Sequence, residues 1–174
     1  MLYILDDAIS KNDLVIMNEM CNRFHNEKTV NKIDLTKFNF YNRIFIEDKD
    51  LTDYYDNILN FLKSKMNKNK FDIIDKSKFN SWINKIIPET NKNDNFHFDM
   101  SFMTAVTYLN DNFKNGEFEY VDENDKIKKL NPKKGMTLIM DETLFHRVKP
   151  VKDGVRYSLI TFFQFLPKEN KTLL

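Results

Sequence analysis

The sequence predicts an α+β chain, with helices first and a jelly roll of short strands after them. Two observations carry this. Before residue 71, apolar residues recur at helical spacing in two segments. From there on, short apolar runs alternate with Asn, Asp, Gly and Pro turn residues. No repeat or linker interrupts the 174 residues. The chain is therefore read as one domain over 1–174, helical to about residue 70 and a jelly roll over about 71–167.

Taken in order, "LYILDD" reads as a short strand, and Ser10 is placed to cap "KNDLVIMNEMCNRFHNE". There Leu14, Met17, Met20, Cys21 and Phe24 form one apolar stripe. "KFNFYNRIFIED" alternates with period two and predicts a strand. A second helix follows Asp50, with Leu51, Tyr54, Tyr55, Ile58, Leu59 and Leu62 on one side and "KMNKNK" at its end. The strand-like segments are then "FDIID", "KFNSWINKIIP", "NFHFDMSFMTAVTYLN", "GEFEYVDEN", "KIKKLNP", "GMTLIMDE", "HRVKPV" and "VRYSLITFFQFLP".

Composition narrows the function classes. A net charge of +1 gives no global field to attract nucleic acid. No apolar run approaches the roughly 20 residues of a membrane span. "MLYILDDAIS" is too short and acidic for a signal peptide, so a cytoplasmic location is expected. The single cysteine, Cys21, cannot form an internal disulfide and reads as a half-buried small hydrophobe.

"FHFD" at 96–99 carries the chemistry. In a strand, residues two apart share a face, so His97 and Asp99 would point one way while Phe96, Phe98 and Met100 point into the core. Such a pair either satisfies itself locally or holds a metal. The chain has three histidines: His25 falls in the polar end of the first helix, which leaves His146 as the candidate third ligand. Two histidines and one carboxylate make the facial set used for non-haem Fe(II), with positions left open for a chelating substrate and dioxygen. Ten residues after His146, Arg156 lies inside an apolar strand, where its permanent charge needs an anion. Ser158 shares its face. A guanidinium fork beside a hydroxyl suits the distal carboxylate of a dicarboxylate.

In their order, "HFD", "AVTYLN", "NGEFEY", "PKKGMTLIMDE", "FHRVKPV" and "GVRYSL" resemble the 2-oxoglutarate- and Fe(II)-dependent dioxygenases, especially the prolyl-4-hydroxylase-like branch, over about residues 96–163. The resemblance implies a double-stranded β-helix with the N-terminal helices packed on its major sheet. It implies Fe(II) on His97, Asp99 and His146 as the catalytic centre, with 2-oxoglutarate and O2 as co-substrates and ascorbate as an auxiliary reductant. The distal carboxylate would meet Arg156 and Tyr108, and Ser158 fits the Arg-x-Ser pattern of part of the superfamily. The implied activity is hydroxylation of an unactivated C–H bond, with a peptidyl side chain such as proline as the favoured substrate class. The alternatives are a small molecule or nucleobase as substrate, or, in a different class, a catalytically silent jelly-roll binding module. Two departures from the pattern stand out. Asn115 replaces the first glycine of the usual Gly-Gly-Glu-Leu, a change tolerable because Asn accepts positive φ. The tyrosine that prolyl hydroxylases often carry about ten residues ahead of His-x-Asp has no counterpart in "KIIPETNKND".

Around this site, Trp82 either lines the substrate mouth or packs in the core. "PETNKNDN" at 88–95 is either a lid or a solvated loop, and Arg147 should face away from His146.

Overall fold

The structure is a computed structural model that describes residues 1–26, 43–46, 51–88 and 95–166. Strand β1 (Leu2–Leu5) leads to helix α1 (Lys11–Asn26). Ser10 caps α1 as its residue type predicts: its hydroxyl accepts the Asp13 N–H at 3.0 Å and donates to the Asp13 carboxylate at 2.8 Å. Met17 and Cys21 lie on the inward stripe. Cys21 is fully rather than half buried, and burial pushes its thiol up to about 12. Strand β2 (Arg43–Ile46) is the described part of the strand expected at 37–48. On helix α2 (Thr52–Lys65), Tyr54, Tyr55, Ile58 and Leu62 are buried, the face that the 3.6-residue period selects.

At residues 68–74 the local expectation fails. "FDIID" does not form a strand of its own, because Phe71 and Asp72 close a short helix, α3 (Lys68–Asp72). Asn67 caps it, accepting the Lys70 N–H at 2.9 Å. Five residues are too few for a hydrophobic period to show. Ile74 then opens β3 (Ile74–Ile86), which runs unbroken through Trp82. The remaining strands are β4 (Met103–Tyr108), β5 (Lys114–Asn115), β6 (Phe118–Val121), β7 (Ile127–Leu130), β8 (Thr137–Asp141), β9 (His146–Val148), β10 (Val151–Asp153) and β11 (Arg156–Phe165). "HRVKPV" thus divides into β9 and β10 around Pro150, which has no N–H to give a ladder. The expected strand 95–110 is regular only from Met103; before it, His97 alone makes a bridge.

Among the described residues the major sheet has six strands in the order β1-β8-β4-β11-β3-β2. A three-stranded sheet β7-β6-β9 and the pair β10-β5 complete the barrel-like layer opposite. All pairings are antiparallel. The architecture is the double-stranded β-helix. The outer face of the major sheet (Ile83, Met103, Ala105, Ile139, Leu159 and Phe163) buries against α1 and α2 in the larger core. Hydroxyls stitch the same contact: Tyr54 meets Thr107 at 3.0 Å and Thr107 meets Thr137 at 2.6 Å, while Ser81 joins Tyr55 and Thr161 at 2.8 Å each. These buried polar atoms are therefore paired and add no desolvation penalty. The inner face packs Tyr108, Leu138 and Met140 toward Phe118 on β6 in a smaller core, leaving a cavity between the two layers. No described helix is long and apolar enough to cross a membrane.

Candidate metal centre and its cavity

His97, Asp99 and His146 converge, with one ligand atom from each inside a 4.8 Å set. Two backbone bonds tie the segment before β4 to β9: His97 N–H to His146 O at 2.8 Å and His146 N–H to His97 O at 3.0 Å. Each imidazole is then oriented in the same way. Nδ1 of His97 lies 3.1 Å from the Asn95 carbonyl, and Nδ1 of His146 lies 3.0 Å from the Leu144 carbonyl. A carbonyl can only accept, so each Nδ1 donates to it and each Nε2 is left as the atom turned toward Asp99. Those two Nε2 atoms each sit 3.8 Å from Asp99 Oδ1. Donor atoms this close to one another could meet on a single ion through small side-chain rotations. Burial pushes the His146 imidazole below its ordinary value, partly offset by the Leu144 carbonyl and Asp99, which favours the neutral ligand form. Phe118 stacks on its ring at 5.2 Å.

The face-sharing argument from strand alternation is corrected in part. His97 and Asp99 do converge, but through an irregular segment, and Phe98 and Met100 are not core residues: they are 54% and 94% exposed. Phe96 and Phe98 instead lie against Phe145, with centroids at 5.2 and 4.8 Å. Arg147 faces away from His146 as expected. Its guanidinium covers the Phe96 ring at 4.4 Å and bonds Glu119 at 2.7 Å. This brace on the outside of β9 was not legible in the sequence, because Glu119 reaches Arg147 only through the β6–β9 register.

The triad opens into a cavity of about 480 Å³ whose other end holds Arg156, Tyr108 and Ser158. Register explains the grouping: Ser158 on β11 pairs with Tyr108 on β4, and Arg156 is one inward-facing step earlier. All three are buried, and Tyr108 Oη, Arg156 Nε and Ser158 Oγ have no hydrogen-bond partner among the described residues. Arg156 gives one bond, from Nη1 to the Gly116 carbonyl at 3.2 Å. Desolvation pushes the guanidinium below its ordinary value and Tyr108 up to about 12, so the phenol stays protonated and able to donate. A buried cation with only a carbonyl for company is unfavourable unless an anion joins it. The cradle fits a carboxylate. The turn presenting Gly116 has φ 63° at Asn115 and 77° at Gly116, so the asparagine accepts the left-handed conformation, as its type allows.

Trp82 is buried and lines the cavity. Arg43 and Asn84, which pair across β2–β3, line the same wall and were not foreseen. The side chain of His25, the lid expected over 88–95 apart from its two end residues, and Phe24 lie outside the described residues.

Residues 83–164 match the family described as the 2OG-Fe(II) oxygenase superfamily. No curated protein matches the sequence. Among solved structures, the chain is similar to a prolyl-4-hydroxylase from Pseudomonas putida at 15% identity, covering 95% of this chain and 93% of that one with a TM-score of 0.69. It is also similar to the viral collagen prolyl hydroxylase of Paramecium Bursaria Chlorella virus-1 in its 2OG complex, at 16% identity, with 93% and 94% covered and a TM-score of 0.63. A third likeness is to the dioxygenase for auxin oxidation from Arabidopsis thaliana in its 2-oxoglutarate complex, at 14% identity, with 95% and 84% covered and a TM-score of 0.64. These likenesses show the shared fold. The segment that matches this superfamily carries His97, Asp99 and His146.

Proposed function

We propose that the protein hydroxylates an unactivated C–H bond of a peptidyl side chain, proline first, with iron on His97, Asp99 and His146 and 2-oxoglutarate on Arg156, Tyr108 and Ser158. One observation carries the reading. One cavity joins three convergent ligand residues to a buried arginine, tyrosine and serine, each with a polar atom that has no partner among the described residues. When bound, iron, 2-oxoglutarate and O2 supply the oxidation, in which the keto acid yields succinate and CO2 and one oxygen atom goes to the substrate.

The chain's own residues select, orient and exclude. His97 and His146 would present Nε2 atoms held in place by their Nδ1–H bonds, and Asp99 a carboxylate oxygen. Arg156 would neutralise the distal carboxylate while Tyr108 and Ser158 donate to it, using Oη and Oγ atoms that have no partner among the described residues. Phe118, Leu138 and Met140 keep water from the wall between the two ends. A peptide is favoured as substrate because the rim bears exposed Phe98 and Met100, and because two of the similar folds above are prolyl hydroxylases.

The test is succinate release with Fe(II), 2-oxoglutarate and ascorbate over acetylated, amidated proline peptides, free amino acids and nucleosides. A proline peptide should raise turnover well above the substrate-free rate and gain one oxygen atom by mass. Stimulation by free amino acids or nucleosides alone would replace the peptide by a small molecule. A chain that turns over 2-oxoglutarate with none of them, or not at all, would contradict the proposal.

A further inference from the structure

Trp82, the only tryptophan of the chain, is 5% exposed, and its Nε1–H has no acceptor among the described residues. The Arg43 guanidinium stacks on the ring at 4.4 Å, and Phe162 meets it edge-on at 4.9 Å. A ring so fixed has a fixed N–H direction, and an N–H withdrawn from water without an acceptor leaves its desolvation uncompensated. A phenylalanine would pack in such a place at no such cost.

Where the ring sits separates it from the carboxylate cradle. Trp82 pairs with Ile160, one inward-facing step from Ser158 and about 7 Å along β11 in the direction of Phe162. It also lies on the β3 side of β11, opposite the β4 side that supplies Tyr108. Beyond it lies β2, the last strand of the sheet among the described residues, where its register partner Phe45 is 66% exposed. The indole thus lines the flank between the co-substrate cradle and the outside, in the same cavity as Phe98 and Met100 on the rim.

We infer that Trp82 Nε1–H is the hydrogen-bond donor that receives the primary substrate, taking a carbonyl or carboxylate oxygen close to the C–H that reacts. Arg43 lies over the indole face at the same subsite, and Phe98 and Met100 meet the substrate's apolar part. The inference rests on the hydroxylase reading above and sharpens it by naming an acceptor group the substrate must carry. That oxygen can come from a peptide backbone or from a free amino acid.

A single tryptophan gives a single indole N–H cross-peak in 15N-labelled protein, so the subsite reports on itself. The protein is loaded with Zn(II) as a diamagnetic ion, then titrated with 2-oxoglutarate, then with an acetylated, amidated Gly-Pro-Gly peptide or with free proline. The peak should hold its position through 2-oxoglutarate and move downfield, saturably, with one of the two probes. Movement with the peptide identifies a backbone carbonyl as the acceptor. Movement with free proline alone keeps the subsite and removes the peptide. A shift completed by 2-oxoglutarate would overturn the inference, because Trp82 would then serve the co-substrate. No shift with either probe would also overturn it, and succinate turnover on the same probes then tells whether the hydroxylase reading falls too. Trp82→Phe, which keeps the aromatic face, should raise the KM for the responding probe about tenfold and leave the 2-oxoglutarate dissociation constant within about twofold. An equal rise in both constants would contradict the assignment.

Discussion

His146→Ala is expected to abolish succinate formation and to weaken metal binding by more than about 100-fold, since even outer partners of metal ligands cost 10–100-fold when lost. The chain should still fold. The backbone bonds between His97 and His146 and the pairing of His146 with Tyr120 on β6 do not use the imidazole. What the substitution loses is the Phe118 stack and the Nδ1 bond to Leu144, together worth about 1–2 kcal/mol. Circular dichroism and a urea midpoint check the fold, and Fe(II) titration under nitrogen checks the metal. Retained turnover in folded protein would remove His146 from the centre.

Arg156→Gln should act oppositely on binding and on stability. Stripping one partner from a buried charge pair costs about 2 kcal/mol or more, so the requirement for 2-oxoglutarate should rise at least about 30-fold. Without co-substrate, however, the wild-type guanidinium is buried with one carbonyl and no carboxylate partner. Replacing it by a shorter, neutral amide should leave the apo-protein's urea midpoint unchanged or higher. A residue buried for the core would show the reverse, with lower stability and an unaltered co-substrate constant. The two measurements together decide why an arginine stands in an apolar strand.

That residue shows what the sequence made legible. Arg156 was readable because a permanent charge inside "VRYSLITFFQF" conflicts with its surroundings, and a conflict of that size points to a ligand. His146 followed from there being only three histidines. Helices α1 and α2 followed from periodicity and the Ser10 cap. The route by which His97 and Asp99 converge was not readable. Alternation holds only while a ladder enforces it, and residues 95–102 have one bridge. Freed from the pleat, Phe96 and Phe98 turned to Phe145 rather than the core. The Arg43–Trp82 wall and the Glu119–Arg147 brace depend on registers between strands far apart in sequence, where no local pattern records the pairing.

One cavity is expected to hold iron and 2-oxoglutarate together. The most direct measurement is the visible absorption spectrum of the protein mixed with Fe(II) and 2-oxoglutarate without oxygen. A weak charge-transfer band should appear that needs both additions, saturates at one equivalent of each, and is lost in His146→Ala. Folded protein that shows no such band with both present would contradict the account.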